Sequence, residues 1–128
     1  MLGLVPAENN EEMLKRFEPM RGYLEHKLGE HVKIFTATDY TSVIEAMRKK
    51  RVDIAFFGPM SYILAEQEAG AEAFAVGIRA GTTSASYKSV IVARCGSGIR
   101  SIKDLKGKSV AFVDPASTSG GLVPTFMV

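Results

Sequence analysis

Short apolar runs alternate with longer stretches in which apolar residues recur every three or four positions, and this rhythm repeats along the chain. Leu2–Val5 is an apolar run closed by Pro6, which predicts a strand. Asn9 or Asn10 then supplies a helix cap ahead of Glu11 and Glu12, acids suited to the positive end of a helix. Met13, Phe17, Met20, Leu24 and Leu28 follow at helical spacing up to Gly29, and Pro19 is expected to kink this segment or to start a second helix. Val32–Thr36 alternates like a strand, Asp39 or Thr41 can cap the next helix, and Val43, Ile44 and Met47 form its apolar face. Val52–Phe57 is dense enough to predict a strand buried on both faces, and Gly58-Pro59 opens a helix reaching Ala69.

The rhythm continues with strands expected at Phe74–Ile78 and Tyr87–Arg94, separated by the small, polar run 80–86, where a lobe boundary is placed. Ser101 caps a short helix to Leu105, Gly107 stops it, Val110–Val113 reads as a strand, and Asp114-Pro115 turns the chain into a last helix starting near Ser119. Strands alternating with helices predict an α/β fold with parallel pairings. The chain closes on Thr125-Phe-Met-Val128, an apolar helical start with neither a C-cap nor a polar tail, which reads as a segment of a longer protein.

Composition narrows the function classes. With 128 residues, 46% hydrophobic and 23% charged, the chain is of globular type, and its 12 Gly and 5 Pro follow no repeat. No apolar stretch approaches the roughly 20 residues of a membrane helix, and the first residues lack the basic and long apolar regions of a signal peptide. Cys95 has no second cysteine to pair with, and with only His26 and His31 beside it no zinc spacing exists, so no metal or cofactor is expected. The net charge of +2 conceals an asymmetry: residues 1–75 carry 12 acids and 9 bases, residues 76–128 carry 2 acids and 7 bases. The second part therefore suits an anion. Its bases are dispersed and not interleaved with aromatics, which argues against nucleic acid as a partner.

The strongest chemical signal is Val113-Asp-Pro-Ala-Ser-Thr-Ser-Gly120, a strand, a turn, three successive hydroxyl residues and a helix start. Ser117, Thr118 and Ser119 offer short donors beside backbone N–H groups that lack intrahelical partners, a combination that holds oxyanions, and Gly120 and Gly121 let a ligand approach the backbone. The plainer reading is that one hydroxyl caps the helix. Further neutral donors follow the second and third strands, at Thr38–Ser42 and Gly58–Tyr62, where ligands of open α/β sheets bind. Tyr40, Tyr62 and Tyr87 each pair a phenolic hydroxyl with an apolar ring able to cover a small anion. Gly96-Ser-Gly98 lacks the third glycine of a dinucleotide loop and reads as a turn, and Arg48–Arg51 reads as a solvated helix end. No Gly-x-Ser-x-Gly element or carboxylate pair supports catalysis, and Asp114 is accounted for as a turn residue.

The ordered segments Leu2–Pro6, Tyr40–Met47, Val52–Pro59, Tyr87–Val92, Ser101–Gly107 and Val113–Gly120 together resemble the phosphonate/phosphite/phosphate substrate-binding proteins of bacterial ABC transporters. The resemblance implies a type II periplasmic-binding-protein fold with one lobe mostly present (1–86, without its returning C-terminal segment) and the second incomplete (87–128, a crossing strand and the start of lobe 2). An oxyanion would lie in the cleft between lobes. By position, Tyr40 and Tyr87 match the family's pocket tyrosines and Ser117, Thr118 and Ser119 its phosphonate-oxygen ligands, with Tyr62, Pro6 and Ala7 at the pocket edge. It also implies a membrane permease as partner and a location in the periplasm or anchored outside the inner membrane. A sheet edge left open by absent strands would allow a homodimer. A sulfonate or other small-molecule carrier and a sensory domain of the same fold are the alternative readings.

Overall fold

The computed structural model describes residues 1–128, which form two compact units, Met1–Glu72 and Ala73–Val128. In the first unit the elements run β1 (Leu2–Leu4), α1 (Asn10–Leu28), β2 (Ile34–Thr36), α2 (Tyr40–Arg48), β3 (Ile54–Phe56) and α3 (Pro59–Ala69). The three strands form a parallel sheet in the order β2-β1-β3, with Gly3 opposite both Phe35 and Ala55. Successive side chains of a strand point to opposite faces. Leu2 and Leu4 accordingly join Met13 of α1 and Val32 in one buried cluster, with Phe17, Leu24, Ile34 and Ile54 packed around it. Gly3 faces the other way, toward Val43 of α2 and Val52.

Local chemistry explains the helices. The Asn9 side chain accepts a hydrogen bond from the Glu11 N–H at 3.0 Å, and Gly29, at φ +68°, supplies the left-handed turn that ends α1. Glu25 near that end accepts from the Val32 N–H at 2.9 Å, tying the helix to the entrance of β2. The Arg21 guanidinium and the His31 ring lie against the same carboxylate, and these contacts, the Val32 N–H foremost, hold the Glu25 carboxyl below its ordinary pKa range.

Two expectations for this unit need correction. Pro19 does not begin a second helix; it sits inside one helix of 19 residues. It is exposed, so the carbonyl that loses its N–H partner can be hydrated. Likewise β3 is not buried on both faces: Val52 just before it is buried, but Phe56 is 43% exposed even with its ring edge-on to Phe17 at 5.2 Å. Among residues 1–128, β3 pairs only with β1. Of the apolar stripe on α1, Met20 and Leu28 remain exposed.

In the second unit a 3-10 turn (Ile102–Leu105) is capped at Ser101, whose N–H and hydroxyl both donate to Asp104, and Gly107 follows at φ +73°. The Arg100 and Ser101 N–H groups and the Ser101 hydroxyl hold the Asp104 carboxyl below its usual range. A wide, π-type turn (Thr118–Leu122) leads into α4 (Val123–Met127), close to where the last helix is expected. The runs Phe74–Ile78, Tyr87–Arg94 and Val110–Val113 form no strand ladder, contrary to expectation. Their alternation encodes strands, but a ladder needs a neighbouring backbone; Phe74, Val76, Val90 and Val92 stay exposed.

The Gly3 contacts yield a stability test. A Cβ built at Gly3 would stand 2.8 Å from Val52 Cγ1 and 3.0 Å from Val43 Cγ1, whereas one at Gly22, within α1, meets nothing within 4 Å. In urea unfolding, Gly3→Val is expected to destabilise by about 1–3 kcal/mol through overpacking. Gly22→Ala is expected to stabilise by about 0.5–1 kcal/mol, since a helix interior favours Ala over Gly.

Candidate functional site

All three strands of the first unit run in the same direction, so α1, α2 and α3 begin at one edge of the sheet. The chain moves from β1 outward to β2 and then back across β1 to β3. That reversal places a topological switch point between the loops after β1 and β3, where Pro6, Ala7 and Gly58 lie. Asp39, the cap of α2, accepts from the Ser42 N–H at 2.7 Å and the Ser42 hydroxyl at 3.0 Å, with the Thr38 hydroxyl at 3.2 Å. These bonds hold its carboxyl below the ordinary aspartate range, the Ser42 N–H contributing most. Asp39 is therefore the cap, and Thr41 is not. Tyr40, the first residue of α2, is 4% exposed.

Gly58 and Ser61 shape the start of α3. The Ser61 hydroxyl, fully buried, accepts from the Gly58 N–H at 3.0 Å and donates to the Gly58 carbonyl at 3.1 Å. Tyr62 is half-buried and donates its hydroxyl to Glu66 Oε1 at 3.0 Å, one turn along the same helix. Arg48 pairs with Glu45 at 2.8 Å at the other end of α2, and Lys49, Lys50 and Arg51 are exposed, consistent with a solvated helix end.

The hydroxyl loop of the second unit is closed by its own backbone. Val113 N–H donates to the Gly120 carbonyl at 2.8 Å, Ser117 N–H to the Asp114 carbonyl at 2.9 Å, and Ala116 N–H to Asp114 Oδ1 at 2.8 Å. Asp114 is thus a turn-forming residue, as its position before Pro115 implies. The buried Ser117 hydroxyl accepts from the Gly120 N–H at 3.2 Å, so this one of the three does serve as a helix cap, while its own proton remains a donor. Thr118 and Ser119 are half-buried. The glycines have a reason beyond ligand access: a Cβ at Gly121 would lie 2.1 Å from the Asp114 carbonyl oxygen, and one at Gly120 2.5 Å from Val113 Cγ2.

The candidate residues thus fall into two groups. Tyr40 and Tyr62 belong to the first unit, at the starts of two helices that pack on each other. Tyr87, which is 51% exposed, belongs to the second unit with Ser117, Thr118 and Ser119. One hydrogen bond joins the Tyr87 segment to the loop: Ser89 Oγ donates to the Ser119 carbonyl at 2.6 Å. No local pattern in the sequence marks Ser89, because its partner lies thirty positions away.

The architecture defines the class first: a parallel α/β protein whose helices start together at the carboxyl edge of its sheet. The family described as ABC transporter, phosphonate, periplasmic substrate-binding protein matches residues 2–128, and the chain belongs to it. It is 39% identical over 127 residues to the phosphate-import protein PhnD of Mycolicibacterium smegmatis, covering 97% of this chain and 39% of that protein. It is 36% identical over 130 residues to the phosphonates-binding periplasmic protein of Escherichia coli, covering 98% and 38%. The crystal structure of a binding protein component of an ABC phosphonate transporter from Pseudomonas aeruginosa superposes with a TM-score of 0.88 at 32% identity, over 99% of this chain and 43% of that one. The chain spans about two-fifths of the length of these relatives. The expected α/β fold is therefore the family's own, present in part.

Two outcomes are expected from this geometry. Gly121→Ala should destabilise the second unit by about 1–3 kcal/mol, read by thermal unfolding together with faster exchange of the Val113 amide. For Asp39 the folded pKa lies below the unfolded one, so its stabilisation is complete above the ordinary range near about 3.9 and is lost as pH falls through the lowered folded value. An NMR titration of the Ser42 amide should show the cap intact where a free aspartate is half protonated. Asp39→Asn should keep the cap and abolish that pH dependence.

Proposed function

We propose that this chain is part of the solute-binding component of an ABC importer that captures phosphonate, phosphite or phosphate and delivers it to a membrane permease. The hydroxyl loop Ser117–Ser119, within a family match that spans residues 2–128, carries this reading. The relatives are named for phosphate and for phosphonates, and a tetrahedral oxyanion is the ligand that three short hydroxyls and adjacent backbone N–H groups suit. Tyr40 and Tyr87 are assigned to the pocket, and Tyr62 to its edge. Residues 1–86 and 87–128 belong to successive lobes in this reading, and the site of action is the periplasm or the outer face of the inner membrane.

Neutral donors suit a carrier better than a ring of arginines. Several moderate hydrogen bonds hold a dianion firmly without one deep charge trap, so the cargo can be released again. No nucleophile, paired base or metal is required, which agrees with a family of binding proteins and not of enzymes.

Isothermal titration with methylphosphonate, phosphite and phosphate at fixed ionic strength tests the proposal, using this chain and a polypeptide of the relatives' full length that contains it. The longer polypeptide is expected to bind at least one of the three. Thr118→Val and Ser119→Ala should each weaken it roughly ten-fold or more, the value of one hydrogen bond to a charged group. Absence of binding by both polypeptides would overturn the proposal in favour of a sulfonate carrier or a sensory domain.

A further inference from the structure

The first turn of the last helix is wider than an α-helix, and the hydrogen bonds show the consequence. The Ser117 carbonyl accepts both the four-residue bond from the Gly121 N–H at 3.0 Å and a bond from the Leu122 N–H at 2.8 Å. The Val123 N–H donates to the Thr118 carbonyl, so the Leu122 and Val123 bonds span five residues instead of four. The next bond in this register would bring the N–H of residue 124 to the Ser119 carbonyl. Residue 124 is a buried proline, which has no N–H. Since Val123 is already committed to Thr118, the Ser119 carbonyl is left without a helical donor. The Ser89 hydroxyl reaches it at 2.6 Å from a half-buried position.

A half-buried carbonyl deprived of a partner is destabilising, and in an α-helix it would recover one by drawing Val123 back into the four-residue register. We propose that Ser89 is a positioning residue: by donating to the Ser119 carbonyl it holds the hydroxyl loop in its wide register, and thereby sets the directions of the Thr118 and Ser119 donors. Pro124 keeps the register dependent on Ser89. The same bond anchors the segment carrying Tyr87, two residues before Ser89, to the loop. The consequence for ligands rests on the oxyanion-binding function proposed for this loop; the register itself does not.

Four forms of the chain decide the matter: unaltered, Ser89→Ala, Ser89→Thr, and Ser89→Ala combined with Pro124→Ala. NMR couplings across hydrogen bonds, recorded without ligand, report whether Val123 N–H is bonded to the carbonyl of Thr118 or of Ser119. Expected is Thr118 in the unaltered chain, a move to Ser119 in Ser89→Ala, and Thr118 again in Ser89→Thr, which keeps the hydroxyl. The double variant should also return to Thr118, because Pro124→Ala restores the backbone N–H that proline lacks.

Titration of the same four forms with methylphosphonate, in the full-length polypeptide, should show about ten-fold weaker binding for Ser89→Ala alone, one hydrogen bond's worth of misalignment. A general loss of stability in Ser89→Ala would weaken binding without moving the Val123 bond from Thr118 to Ser119. Retention of the Thr118 bond in Ser89→Ala, or failure of the double variant to restore it, would overturn the proposal. If the unaltered protein binds none of methylphosphonate, phosphite and phosphate, the binding reading fails, while the ligand-free couplings still settle the role of Ser89.

Discussion

The central strand β1 is hydrogen-bonded on both sides, and its middle residue has no side chain. Much of the first unit depends on that combination. Gly3 pairs with Phe35 and Ala55 while Val43 and Val52 close over it, Val52 nearer than a Cβ could stand without displacement. α2 can therefore press directly on the sheet, with α3 packed against it, and the other face is left to Leu2, Leu4 and α1. Right-handed crossovers require this two-sided arrangement once the chain steps from β1 to β2 and back past β1 to β3. The helix starts are delivered to one edge as a result, and the switch point between β1 and β3 is a product of connectivity alone.

A comparable economy governs the hydroxyl loop. Asp114 uses its backbone carbonyl and its carboxylate to fold the turn, Ser117 caps the wide turn after it, and Gly121 fits only because it has no Cβ beside the Asp114 carbonyl. The turn is thus fixed by bonds within the loop itself, the kind of preorganisation that lets several modest donors act together at little entropic cost. Preorganisation of this kind suits a family whose members capture small solutes, to which the chain belongs over residues 2–128.

The sequence and the structure agree where interactions are local. Apolar periodicity, Asn9 and Asp39 as caps, Gly29 as a left-handed stop and Pro59 in a first turn specify each element within a few residues of itself, and the three strands and three helices of the first unit lie where those signals put them. The cluster Ser117–Ser119 and the turn role of Asp114 were legible for the same reason. Tyr62 was legible as a loop-edge donor, but its pairing with Glu66 depends on which rotamer the helix surface favours.

The features that required the tertiary structure are those that depend on partners distant in sequence. Val52–Phe57 has the composition of a central strand, and within these 128 residues it pairs only with β1, because pairing depends on which strands stand beside it. The runs 74–78, 87–94 and 110–113 carry strand patterns without strand ladders, because alternation is a property of one segment and pairing a property of two. Pro19 remains within a single helix because its exposed side leaves the orphaned carbonyl to water. The wide register at Ser119 arises from a proline five residues ahead and a serine thirty residues behind, and only folding brings that hydroxyl to the carbonyl that lacks a donor.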